Sequence, residues 1–290
     1  MTSPFISVAE LADSLASTTA PVLFDASVIL HAATFDGDYR RDNGRPRWLA
    51  GHIPGSQHVD VPTQFSDTTA SLSYTHPEPQ AIADELARLG VGPATQVVVY
   101  DTTGTIWAAR LWYLLRWIGV DARVLDGGFA AWERAGERVE IGESEPPKVV
   151  ESWPASAVRA AWVSRQELLE RSETDSRPLV CGLPAGSFTG TDPTRYSRRG
   201  RIPGSVNVSS RDLFARDGEV KSRVELILAY DAAGVDITEH SEEVLLYCGG
   251  GISAAANALT LAAIGTTAVR IYDGSLEEWS ADASLPLDVG

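Results

Sequence analysis

Short apolar runs alternate with amphipathic segments along the whole chain. Runs of four or five residues that are rich in valine, leucine and isoleucine predict buried strands, and the apolar positions that recur every three or four residues predict helices. In the first half the pattern predicts helices at 8–15, 79–89 and 105–118, and strands at 22–25, 58–61, 96–100 and 122–125. In the second half it predicts helices at 165–171, 222–233 and 253–264, and strands at 179–181, 206–208, 244–247 and 269–272. Strands that alternate with helices in this way predict an α/β fold in which a mostly parallel sheet carries helices on both faces.

The two halves also carry the same motifs at the same spacing. The segment Gly-His-Ile-Pro-Gly that begins at Gly51 has a counterpart, Gly-Arg-Ile-Pro-Gly, that begins at Gly200. Asp101 precedes an Asp-Gly pair at Asp126 by 25 residues, and Cys248 precedes Asp273 by the same 25 residues. The chain is therefore predicted to be two tandem copies of one domain. Asp101 stands in the first copy at the position that Cys248 holds in the second.

The segment between the two copies marks the domain boundary. Residues 141–160 lack periodicity and are rich in proline and charge, which is typical of a linker. We therefore predict an N-terminal domain at 1–140, a linker at 141–160 and a C-terminal domain at 161–290.

Charge and composition exclude several classes of partner. With 24 basic and 39 acidic residues, the net charge of −15 argues against a nucleic-acid partner, which would require a basic face. No apolar run approaches the length of about 20 residues that spans a bilayer, so no membrane association is expected. The first fifteen residues lack the basic and apolar regions of a signal peptide. With only two cysteines in the chain as well, a reducing compartment and a cytoplasmic location are predicted.

Cys248 is the strongest candidate for chemistry. An apolar strand delivers it to three glycines, and a segment of small residues that is predicted to be helical follows at once. Glycines allow backbone N–H groups to turn inward, and a helix N-terminus adds a positive dipole, so both stabilise a thiolate. The alternative is a buried structural cysteine beside a turn, and the loop context favours the reactive reading.

The two copies, their Gly-x-Ile-Pro-Gly and Asp-Gly elements, and a cysteine in only the second loop together resemble the two-domain rhodanese sulfurtransferases. The resemblance covers essentially the whole chain. It implies two rhodanese-like domains, of which the C-terminal one is catalytic and the N-terminal one, with Asp101, is inactive. It implies transfer of a sulfane-type sulfur through a persulfide on Cys248, without a metal or an organic cofactor. The backbone N–H groups expected to hold the persulfide belong to Gly249, Gly250, Gly251, Ile252 and Ser253.

Within that family the loop sequence bears on the sulfur donor. The loop Cys-Gly-Gly-Gly-Ile-Ser is nearer to the 3-mercaptopyruvate type than to the thiosulfate type, which carries a basic residue after the cysteine. Two departures leave the donor open: Gly250 replaces a serine, and Ser187 replaces an arginine of the mercaptopyruvate type. The predicted partners are a small anionic donor and an acceptor such as cyanide, a small thiol or a thioredoxin-like protein.

Further residues are candidates for the donor site. Arg195 and Arg199 belong to an arginine cluster, and a guanidinium grips a carboxylate or sulfonate with two hydrogen bonds. His76 lies where the mercaptopyruvate enzymes have a histidine that can shuttle a proton, or it is a solvent-exposed loop residue. Asp60 resembles an acidic residue of that neighbourhood, or it caps a turn. Ser253 supplies a hydroxyl donor to the site or caps the following helix.

Other repeat residues are predicted to be structural. They are His52 and Arg201 in the Ile-Pro-Gly turns, Trp132 and Trp279 in the core, and Cys181 as a buried, inert thiol. Arg198 is a weaker candidate for anion recognition than Arg195, and a solvent-exposed position is its alternative.

Two rival functions were weighed against sulfur transfer. A phosphatase on this fold needs an arginine six residues after its cysteine, and Ala254 stands at that position. A non-catalytic rhodanese-like binding or regulatory module remains the alternative from another class. The presence of Cys248 speaks against it, because an inert copy usually loses its cysteine. A thiosulfate-specific rhodanese is the alternative within the family.

Overall fold

A computed structural model describes residues 3–172, 174–237 and 243–290. The strands are β1 (Phe5–Ile6), β2 (Val22–Asp25), β3 (Val28–Leu30), β4 (Arg41–Asn43), β5 (Gln57–His58), β6 (Val97–Tyr100), β7 (Ala122–Leu125), β8 (Trp162–Val163), β9 (Leu179–Cys181), β10 (Val206–Asn207), β11 (Val244–Tyr247) and β12 (Val269–Tyr272). The helices are α1 (Val8–Leu15), α2 (Arg45–Ala50), α3 (Val61–Gln64), α4 (Pro79–Arg88), α5 (Ile106–Trp117), α6 (Gly128–Arg134), α7 (Arg165–Leu169), α8 (Ala185–Thr189), α9 (Arg223–Asp231), α10 (Ile252–Ala263) and α11 (Ser275–Ala281), with a 3₁₀ helix at Ser210–Leu213.

Two five-stranded parallel sheets have the same strand order. The first runs β1-β7-β6-β2-β5, and the second runs β8-β12-β11-β9-β10, so each strand of one sheet has a counterpart in the other. Parallel sheets need cover on both faces, which explains why the middle strand of each sheet, β6 or β11, is buried at every residue. The predicted α/β class with two tandem domains is confirmed.

The central strands place the two candidate loops. Every residue of β6 and of β11 is buried, and each strand ends in a tyrosine followed by Asp101 or Cys248. In an open parallel sheet the carboxyl ends of central strands are where ligands bind. The two loops therefore occupy equivalent positions in the two halves.

The helices that follow these loops, α5 and α10, pack against each other and join the two halves. Helix α5 presents large buried side chains, including Trp107, Trp112 and Tyr113, whereas α10 is built mainly from buried alanines and leucines. Large side chains from one helix thus fill the space left by small ones on the other, which is how interiors reach crystal-like density.

Most predicted elements are present, and their ends agree with the prediction or shift by one or two residues. The strand predicted at 58–61 ends three residues earlier than expected, because the pairing ends at His58 and α3 starts at Val61. Pro62 favours the first turn of a helix, where its missing N–H costs nothing. The segment 141–160 contains no helix or strand. Among the described residues no helix is long and apolar enough to cross a membrane.

Candidate functional site

Cys248 lies at the end of β11, at the entrance to a tight loop. Its own backbone N–H and that of Gly251 both donate to the Ser275 hydroxyl, at 3.1 Å and 3.2 Å. Gly251 has a φ of 78° and precedes helix α10, so a residue with a side chain would be strained there. Its position also has no room for a side chain, since an added Cβ would lie 2.7 Å from an Asp273 carboxylate oxygen. The loop is therefore fixed by its glycines and by one buried serine.

The matching loop of the first half holds a carboxylate. The oxygens of Asp101 accept four backbone hydrogen bonds of 2.8–3.0 Å, from the N–H groups of Thr103, Thr105, Trp107 and Ala108. Burial raises the pKa of Asp101, and these four N–H groups oppose that shift because they stabilise the charged form. This loop is therefore an anion cradle.

The offset between the repeats gives the corresponding backbone positions in the second loop. Cys248 lies 147 residues after Asp101. The same offset equates the four donors of the Asp101 loop with the backbone positions of Gly250, Ile252, Ala254 and Ala255. Neither helix has a side-chain cap at its N-terminus, so its first N–H groups remain available to the group held in the loop.

Cys248 forms part of a cleft of about 410 Å³ between the two halves. The thiol is only 2% exposed, so a donor must enter the cleft to reach it. The first half contributes Leu30, Ala32, Ala33, Tyr39, Tyr74 and Ile106 to the cleft, and the second half contributes loop, helix and 3₁₀ residues that include Ser187, Tyr196 and Ser253. A donor would therefore contact both halves.

Two arginines line this cleft, and sequence reasoning identified only one. Arg195, which was predicted, donates to the carbonyl of His31 at 2.8 Å and lies 5.9 Å from the Tyr39 ring. Arg211 also lines the cleft, and the sequence pattern does not predict it. A lone arginine after a short strand has no periodic signal, and only the placement of the 3₁₀ helix against α10 brings it to the cleft.

Three predicted donor-site residues lie elsewhere. Arg199 pairs with Asp36 at 2.9 Å. The ring of His76 stacks on Trp162 with centroids 4.4 Å apart. Asp60 accepts the Thr63 hydroxyl at 2.8 Å, at the start of α3. None of the three lines the cleft around Cys248 in the described part of the chain.

Ser253 does line the cleft, and it lies within the first turn of α10. The residue that caps the helix is Gly251. The helix-capping alternative for Ser253 therefore does not match the geometry.

A buried ion pair links the first half to the catalytic loop. Arg110, on α5, is fully buried and donates to Asp273 at 2.7 Å and to the carbonyl of Tyr74 at 2.6 Å. The other oxygen of Asp273 accepts the backbone N–H of His76 at 2.7 Å. Arg110 also lies against the loop, since an added Cβ on Gly251 would meet its guanidinium at 2.9 Å. The pair braces the Cys248 loop from the other domain.

The residues predicted to be structural occupy the interior or bridge chain segments. The indoles of Trp132 and Trp279 each donate to a backbone carbonyl at 2.8 Å, and burial raises the pKa of Cys181 to about 12. His52 is buried between Trp48 and Ser144. Arg201 and Arg198 bind main-chain carbonyls, in Arg198 those of Trp279, Ser280, Asp282 and Leu285. The guanidinium of Arg198 is thus bound to main-chain carbonyls, whereas a solvent-exposed arginine would have none of these contacts.

No group of three or more His, Cys, Asp or Glu within the described residues could hold a metal ion.

Comparison with known proteins identifies the family. The rhodanese-like domain model matches residues 8–135 and 190–282. The 3-mercaptopyruvate sulfurtransferase of Escherichia coli strain K12 is 33% identical over 249 residues, which cover 85% of this chain and 86% of that protein. The thiosulfate sulfurtransferase of Bos taurus is 31% identical over 241 residues, which cover 81% of this chain and 79% of that protein.

Similarity to a crystal structure supports the same family. That of SseA from Escherichia coli, described as a 3-mercaptopyruvate sulfotransferase with the rhodanese fold, has a TM-score of 0.78 at 30% identity and covers 94% of this chain and 99% of that one. The chain belongs to the rhodanese family, and the resemblance predicted from the motifs is confirmed.

Proposed function

We propose that this chain is a sulfurtransferase that carries sulfur on Cys248 from a small anionic donor to a thiophilic acceptor. The observation that supports it best is the Asp101 loop. Four backbone N–H groups hold a negative group there at the position that Cys248 occupies in the second half. We propose that the equivalent loop around a cysteine suits a thiolate and then a persulfide, because both are anions.

The reaction divides into two displacement steps. The Cys248 thiolate attacks the outer sulfur of the donor, and a new S–S bond forms. The bond between that sulfur and the rest of the donor breaks, and its electron pair leaves with sulfite from thiosulfate or with the pyruvate enolate from 3-mercaptopyruvate. The acceptor, cyanide or a thiol, then attacks the outer sulfur of the persulfide and releases the thiolate. This is covalent catalysis with ping-pong kinetics.

The preferred donor in this proposal is 3-mercaptopyruvate. The residues after Cys248 carry no cation, so a doubly charged thiosulfate gains nothing at the loop itself. Ser253, whose position faces the cleft, is proposed to donate a hydrogen bond to the reacting sulfur or the donor. Arg195 is proposed to bind the donor's anionic end from the cleft wall. The N-terminal domain, proposed at residues 1–140, supplies the opposite wall.

Intact-mass measurement after exposure to each donor tests this proposal. Wild-type protein is expected to gain the mass of one sulfur atom and to lose it when cyanide is added. Cys248→Ser should show no gain, whereas Cys181→Ser should behave as wild type, since Cys181 is fully buried and inert. If neither donor produces an adduct on the wild type, the chain is a non-catalytic module.

A further inference from the structure

The walls of the cleft carry four charged side chains, two acidic and two basic, and one of the two arginines has no partner among the described residues. Those charged residues are Asp192, Arg195, Arg211 and Glu277. The Glu277 carboxylate accepts the backbone N–H of Ser73 at 2.8 Å, and Arg195 donates to His31. Arg211, in contrast, makes no hydrogen bond or ion pair with any described residue. Its guanidinium is therefore free to bind a ligand.

The backbone beneath Arg211 is nevertheless firmly held. Its neighbours Ser210 and Leu213 are buried. The backbone N–H of Ser210 donates to the carbonyl of Gly182 at 3.0 Å, which ties the 3₁₀ helix to the end of β9. The side chain is thus an exposed cation on a fixed base at the wall of the cleft.

Two other positions at the cleft, 249 and 187, do not supply a cation. The Tyr196 hydroxyl fills the space that a Cβ on Gly249 would need, so position 249 has no room for a basic side chain. Ser187, which also lines the cleft, is neutral. An anionic donor in this cleft also faces the negative charge of Glu277. Its own charge must therefore be met by an arginine from the wall.

We propose that Arg211 binds the anionic end of the sulfur donor, with Arg195, and thereby sets donor affinity. The inference rests on the proposed function, because it assumes that the anion in the cleft is the donor. A guanidinium forms two parallel hydrogen bonds to a carboxylate or a sulfonate. Arg211 thus supplies from the 3₁₀ helix the charge that neither the loop nor position 187 provides.

Binding measured without turnover tests this directly. Calorimetry on Cys248→Ser measures the affinity for two anions, pyruvate, which is a carboxylate, and thiosulfate. Arg211→Ala in that background is expected to weaken binding about tenfold or more, the size of effect that follows from a lost charge-assisted pair. The matched control is Arg216→Ala, since Arg216 is also exposed and lines a different cleft. A larger loss of affinity for pyruvate identifies a carboxylate donor, and a larger loss of affinity for thiosulfate identifies thiosulfate as the donor.

The kinetic counterpart separates affinity from chemistry. Arg211→Ala is expected to raise KM about tenfold and to leave kcat within about twofold, and Arg211→Lys should recover part of the affinity. Unchanged binding in Arg211→Ala, an equal loss in Arg216→Ala, or no anion binding at all in the Cys248→Ser background would overturn the assignment. Failure of the proposed function itself appears separately, as the absence of a sulfur adduct on the wild type.

Discussion

The loops after β6 and β11 lie at equivalent positions and hold different groups. Asp101 accepts hydrogen bonds from four N–H groups beside a cleft of about 510 Å³. Cys248 faces a cleft of about 410 Å³ and can exchange what it carries. The difference teaches that anion binding belongs to the loop, whereas catalysis depends on whether the bound group can leave. Exchanging the groups is the most direct way to test this comparison.

Making the second loop a copy of the first should produce the largest effect. Cys248→Asp is expected to lower sulfur transfer by at least about 10³-fold, because the nucleophile is lost. The loop N–H groups should donate to the new carboxylate. We therefore expect Cys248→Asp to be more stable in urea than Cys248→Asn, by about 1–3 kcal/mol, since an amide presents a donor to those donors. Equal stability of the two variants would show that the second loop is not an anion cradle.

The second prediction concerns the brace that crosses between the halves. Arg110→Leu leaves the Asp273 carboxylate without its cation, and loss of one partner of a buried pair costs about 3–5 kcal/mol. Urea unfolding should report this loss. Arg45→Leu is the control, because it breaks an exposed pair with Glu143 that should contribute only about 0–1 kcal/mol. Similar losses in both variants would contradict a special role for the Arg110 pair.

The third prediction uses a position where the repeats differ in charge. Asp25 and Cys181 pair with the tyrosines that precede Asp101 and Cys248, in the same register. Burial raises the pKa of Asp25 from 3.8 to about 6, partly opposed by hydrogen bonds from Ser27. The folded state then holds this proton more tightly than the unfolded state, so stability is lost as pH rises from about 4 to 6.

Asp25→Asn removes that titration. Relative to wild type, the variant should gain up to about 3 kcal/mol between pH 4 and pH 7, since each pKa unit corresponds to about 1.4 kcal/mol. Urea unfolding at the two pH values measures the gain. Cys181→Ser should show no such change, because the pKa of Cys181 lies near 12 and the thiol is neutral throughout. A difference between Asp25→Asn and wild type that does not vary with pH would refute the assignment.

The sequence carries most of the fold and the centre of the site. Repeated apolar runs predict both sheets, and the loop context singles out Cys248. The site residues that the sequence does not predict reach their positions through contacts between distant segments. Arg211 and Tyr196 reach the cleft only because their loops fold onto α10 and the catalytic loop. The ring of His76, placed in the site by resemblance, is drawn instead onto Trp162.

The sequence pattern indicates that Arg110 is buried, although it does not identify the partner of Arg110. Arg110 lies inside an otherwise apolar helix, and a buried arginine requires a partner. Asp273, in the Asp-Gly element that recurs in both halves, is an acidic candidate for that partner. The pairing was not predictable without the crossing of α5 over the catalytic loop, which no local pattern encodes.

The packing of α5 on α10 has an evolutionary consequence. A shortened gene that kept only the cysteine-bearing half would expose the alanine face of α10 to water and remove the cation that braces its loop. Selection that acts on sulfur transfer alone is therefore expected to retain the half that has no nucleophile.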